Sequence, residues 1–129
     1  MTLDMAPAVL WCIGVVCSCN VTLLCVLRGR LMRGYSSEVR IRPVSWNVLA
    51  AHVASLIFGI TPYLIYVWYA DTGEFTPKVR DFYARVGWPS AAVAIALILM
   101  QIMCMYLQAR RAMFSEMDER LSRKRPRSY

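Results

Sequence analysis

Three stretches of this chain, 6–27, 44–70 and 86–109, contain no aspartate, glutamate, lysine or arginine. Charged residues make up only 18% of the 129 residues and hydrophobic ones 58%, against roughly 25% and 45–50% in an ordinary soluble domain. That shortage excludes a soluble globule, because three such runs leave too little polar surface to clothe them. It also excludes a disordered tail, which is charge-rich and poor in apolar residues. A disulfide-stapled secreted domain does not fit either. Four of the five cysteines, Cys12, Cys17, Cys19 and Cys25, crowd into the first run, and Cys104 is in the third. None has zinc-finger spacing or a ligand histidine nearby, so they read as small packing residues; Cys25, beside the first arginines, is also placed for acylation in a suitable host. A phosphate-binding glycine loop, paired carboxylates and a Ser/His/Asp set are all missing, so no catalytic residue, metal or cofactor is expected, and no self-contained enzyme.

The three runs are each long enough to cross about 30 Å of hydrocarbon as a helix rising about 1.5 Å per residue. In lipid every backbone N–H and C=O needs an internal partner, which makes a lone apolar run helical. Strands are a poor fit, because the sequence at 91–100 does not alternate. The expected fold is an all-α membrane protein with three transmembrane helices at 6–27, 44–70 and 86–109. Trp11, Trp46, Trp68 and Trp88, with Tyr66, Tyr69 and Tyr106, sit near run ends, where amphipathic rings favour headgroup depth. Pro89 falls in the first turn of the third helix, where its missing N–H costs nothing.

Charge sets the expected orientation. Residues 1–5 carry Asp4 and no basic side chain, whereas Arg28, Arg30 and Arg33 follow the first run. That layout is an uncleaved anchor with its N-terminus outside, not a signal peptide. The segment 28–43 holds five arginines, the segment 71–85 holds three basic residues, and 110–129 holds seven. The positive-inside rule then places 1–5 and 71–85 outside and puts 28–43 and the tail 110–129 in the cytoplasm. Asp71-Thr72-Gly73 opens the outer loop as a turn.

Helices in lipid associate through close packing of small residues and through hydrogen bonds. The first helix has Gly14, Ser18 and Thr22 in steps of four, the second Ala51, Ser55 and Gly59. The third has Ser90, Ala94 and Gln101 on one stripe that continues to Cys104 and Gln108. Two readings stand for these stripes: they pack the three helices into a bundle, or they also drive oligomerisation and face water once oligomers form. His52 is the only ionisable residue within the runs apart from tyrosine and cysteine. A neutral imidazole bonded to a helix neighbour and a proton-sensitive group both fit that position. Pro62 breaks the ladder of the second helix and frees the carbonyl near Phe58, a place for kinking or gating.

After 109 the tail is amphipathic and basic. Met113, Met117 and Leu121 recur every four residues with Phe114 beside them, so the third helix continues into the cytoplasm. Arg123, Lys124, Arg125 and Arg127 then form a polybasic end suited to anionic lipid, at about 1 kcal/mol per basic residue near the surface. Nothing supports nucleic-acid binding, and no nucleic-acid partner is expected.

In layout the whole chain resembles the class I phage holins, small proteins with three transmembrane helices, an outer N-terminus, an inner C-terminus and a short basic tail. The resemblance implies an inner-membrane protein that self-associates into rafts and then opens holes, and a pair of start codons, for which Met1 and Met5 stand ready. The proline in the second helix and the long, arginine-rich segment 28–43 depart from that pattern. An accessory or assembly subunit that binds another membrane protein, and a small channel or transporter centred on His52, are the competing expectations.

Overall fold

The computed structural model describes residues 3–36 and 39–125. Met1 of the paired starts and Arg127 of the polybasic end lie outside the described residues. One 3-10 turn, Leu3–Met5, leads into α1 (Ala6–Arg28), α2 (Trp46–Thr72) and α3 (Pro77–Lys124). All three helices are long and apolar enough to cross a membrane. No strand occurs among the described residues.

Each helix ends for a local reason. Beyond α1, the Leu31 amide reaches the Val26 carbonyl and the Arg30 amide reaches that of Leu27, the reverse turn that closes many helices. Its left-handed position, where glycine is usual, is held by Arg30 at φ 50°. Ser45 caps α2 by accepting from the Val48 amide at 3.4 Å. Gly73, at φ 71°, terminates α2 as the turn signal in the sequence predicts.

α3 departs from expectation at its front. The third helix does not begin at residue 86 with Pro89 in its first turn. It begins at Pro77 after the cap residue Thr76, and Pro89 lies inside it. Charge excluded 77–85 from a membrane span, but charge does not stop a helix: Val79, Phe82 and Tyr83 recur at helical spacing and no glycine or proline intervenes before 87. The loop between α2 and α3 thus shrinks to 73–76. With 48 residues, α3 is about 72 Å long, more than twice the hydrocarbon thickness.

α1 runs antiparallel to α2 and parallel to α3. It carries most of the close backbone packing, since α2 and α3 meet mainly through side chains. At one end Val21, Cys25 and Val48 form a buried cluster, with Cys104 and Met105 of α3 against it. At the other, Phe75 is buried among Tyr66, Tyr69 and Tyr83, with ring centroids 5.7–6.2 Å apart. The Tyr83 hydroxyl donates to the Asp4 carbonyl and ties the start of α3 to that of α1.

Candidate functional site

The centre of the bundle is polar. Gln101 of α3 is wholly buried and meets both other helices. The Ser18 hydroxyl of α1 donates to Gln101 Oε1 at 2.6 Å. Gln101 Nε2 donates to Ser55 Oγ of α2 at 2.9 Å. Ser55 in turn donates to the His52 carbonyl at 2.7 Å. Each group uses its donor once, in a chain from Ser18 through Gln101 and Ser55 to the backbone of α2. In hydrocarbon such interhelical bonds are worth about 0.6–1.7 kcal/mol each, and here they join three helices at one level.

One turn toward the start of α1, the backbones of α1 and α2 nearly touch. A Cβ on Gly14 would lie 3.0 Å from the Gly59 nitrogen and 3.1 Å from the Phe58 carbonyl carbon. The approach falls on the turn where Pro62 denies the Phe58 carbonyl its usual partner. A Cβ on Gly59 would meet nothing within 4 Å. Ala94 of α3 faces Gly14, Ser18, Ser55 and Gly59 across a void of about 10 Å³, room for at most about one water molecule. Ala51 packs instead on the Val21–Cys25–Val48 cluster. The Thr22 hydroxyl and His52 Nδ1 are buried and have no hydrogen-bond partner among the described residues. The His52 side chain therefore stands outside the junction, which it joins only through its backbone carbonyl.

Nearer the Phe75 end, α3 parts from α2 and an open apolar cavity of about 800 Å³ lies between the helices, walled by Trp11, Pro62, Tyr66, Tyr83 and Trp88. Ser90 is on its wall. Its hydroxyl donates to the Gly87 carbonyl at 3.0 Å, which leaves Tyr63 to donate to Ser90 at 2.9 Å.

The opposite end holds an assembly that the sequence did not reveal. Residues 29–36 and 39–45 fold against the part of α3 beyond 107. Gly29 lies so close to Gln108 that a Cβ would approach its Cβ to 3.0 Å. Gln108 Nε2 donates to the Arg42 carbonyl at 3.3 Å. Arg111 reaches the carbonyls of Gly29, Arg30 and Arg33, placing a cation on the end of α1 where helix carbonyls concentrate negative potential. The Ile41 amide donates to Ser115 Oγ at 3.1 Å, the Tyr35 hydroxyl donates to Asp118, and Arg40 stands 3.9 Å from Glu119. The hydrogen bond that Tyr35 donates to the Asp118 carboxylate holds its phenol protonated and pushes it above its ordinary pKa of 10.0. Of the polybasic end, Arg123 is paired with Glu119 at 2.7 Å, Lys124 closes α3 and Arg125 follows it. Sequence reading counted Arg111 as charge alone. Its role depends on the register between α1 and α3, which no local spacing records.

The junction offers neutral hydroxyl and amide groups, so its chemistry is hydrogen bonding. Among the described residues, no group of three or more His, Cys, Asp and Glu side chains could hold a metal ion. No protein-family model, curated protein or solved structure matches the chain.

Proposed function

We propose that the chain is a non-enzymatic multi-pass protein of the inner or plasma membrane, with its N-terminus outside and both basic segments in the cytoplasm. We further propose that it self-associates and permeabilises the membrane in the manner of the class I holins. The charge distribution supports the orientation. The Ser18–Gln101–Ser55 junction carries the functional reading. Three hydrogen-bonding side chains are folded inward at bilayer depth, while the α2 and α3 backbones approach each other at few points, so that side chains such as Ser55 with Gln101 and Tyr63 with Ser90 hold their seam. Opening along that seam turns these polar faces, with Gly14 and Ala94, toward a common lumen in an oligomer.

In the two cytoplasmic segments, Arg28, Arg42 and Arg110 lie within two residues of the uncharged runs and are positioned for anionic headgroups. Arg123, Lys124 and Arg125 lie about 20 Å farther along α3, past the screening length of about 8 Å, and reach lipid only if α3 tilts.

Expression in a bacterium while membrane potential is followed tests the proposal. Wild-type protein collapses the potential, and Gln101→Leu inserts equally but collapses it later or not at all. Continued growth with an intact potential at high expression of the wild type removes the reading. An accessory subunit is the second reading. One stable heterologous chain co-purifying in mild detergent marks that reading, and homo-oligomers mark the first.

A further inference from the structure

α3 has two faces, and only one is occupied within the protomer. Gln101, Gln108, Ala112 and Ser115 are its buried residues and lie on a single side. Trp88, Leu99, Tyr106, Met113, Met117 and Leu121 lie on the opposite side, within a sector about 80° wide at 100° per residue. Each of these six is more than half exposed. Up to residue 109 hydrocarbon can cover such a stripe. Met113, Met117 and Leu121 lie beyond the uncharged run, where water replaces lipid, yet the stripe continues without a change of face.

The extension cannot lie down on the membrane to hide these residues. No glycine or proline interrupts the chain between Ser90 and Lys124, α3 is unbroken there, and the docked residues 29–36 and 39–45 hold its other side. We propose that the outward face of α3 is the seam of a parallel homodimer that begins within the membrane and ends in the aqueous space beyond it. The partner is a second copy because membrane insertion gives every copy the same orientation and depth. Two copies of α3 are therefore parallel and in register, so the stripe meets itself over its whole length about a two-fold axis along the membrane normal. Any other partner would need a helix with an apolar stripe of the same length at the same depth. Methionines at the centre of the aqueous part suit a self-packing surface, since they adapt to small misfits. Arg110, the one charge on the stripe, has its guanidinium over the Phe114 ring at 5.4 Å. This seam rests on the membrane-spanning reading and not on permeabilisation.

The test uses the full chain in its own membrane, with the five native cysteines replaced and single cysteines introduced. Under mild oxidation Met117→Cys and Leu121→Cys form disulfide-linked dimers, and Ser122→Cys, off the stripe, does not. Absence of a cross-link at Met117, or an equal yield at Ser122, overturns the proposal. Met117→Glu keeps the helical circular dichroism of the wild type and weakens self-association in detergent at least about tenfold; an unchanged dimer overturns it as well. If the Met117 cross-link forms while the membrane potential survives, the seam stands and the permeabilising function falls. If the potential collapses without the cross-link, the reverse holds.

Discussion

Gly14 and Gly59 belong to matching small-residue stripes, but the backbone contact between them makes them unequal. The space that a side chain at Gly14 would need is filled by the α2 backbone, whereas Gly59 presents its backbone and has open space where its own Cβ would go. Gly14→Ala therefore costs about 1–3 kcal/mol through overpacking, and Gly59→Ala leaves stability nearly unchanged, as measured by denaturation in mixed detergent micelles. The spacing of four identified both glycines; which one must lack a side chain depends on the rotation of each helix, which spacing does not encode. Arg30 gives the opposite sign. A left-handed residue with a Cβ is strained by about 1–2 kcal/mol, so Arg30→Gly raises stability by about 1 kcal/mol once the added freedom of glycine in the unfolded chain is deducted. The adjacent Gly29 cannot take that strained position, because it is needed against Gln108.

The helices were legible to different degrees. α1 and α2 lie within two residues of their uncharged runs, because in both cases the apolar stretch and its end signals coincide. α3 was legible in its middle and in its amphipathic continuation past 109, where Met113, Met117 and Leu121 recur every four residues, but not at its front. Thr76-Pro77 is a sound helix start, but Lys78, Arg80 and Asp81 follow it and set it apart from the uncharged run. The docking of 29–36 and 39–45 was not legible at all: the arginines there read as a topology signal, and the partners Ser115 and Asp118 are more than 70 residues away. If Tyr35 and Asp118 hold this segment, Tyr35→Phe speeds hydrogen exchange of the Ile41 amide at neutral pH and leaves the amides of mid-α1 unchanged. The pH dependence has a definite sign. The Tyr35 phenol is harder to ionise in the folded chain than at its ordinary value of 10.0. Its contribution is thus complete below about pH 10 and is lost as pH rises through the higher folded value. Tyrosinate absorbance checks this, since Tyr35→Phe removes one phenol from the part of the titration that lies above 10.

At mid-bundle the molecule is polar where a soluble protein is apolar, and it is apolar where it meets its surroundings. Gln101 sits at the centre while Leu99, Ile102 and Met103, its near neighbours in sequence, point outward. That inversion makes sense if hydrocarbon is the solvent, because apolar side chains then gain little from burial and hydrogen bonds supply the cohesion. Two ends of different character follow from it: an aromatic closure around Phe75, and a hydrogen-bonded end where Arg111 and Gln108 join 29–36 and 39–45 to α3. The functional reading requires these ends to lie on opposite sides of one bilayer. Labelling with a membrane-impermeant maleimide tests this most directly, using single cysteines at Glu74, Met32 and Ser122 in a cysteine-free chain. In intact cells Glu74→Cys is labelled, and Met32→Cys and Ser122→Cys react only after the membrane is opened. Labelling of Met32→Cys or Ser122→Cys in intact cells, or protection of Glu74→Cys, contradicts the account.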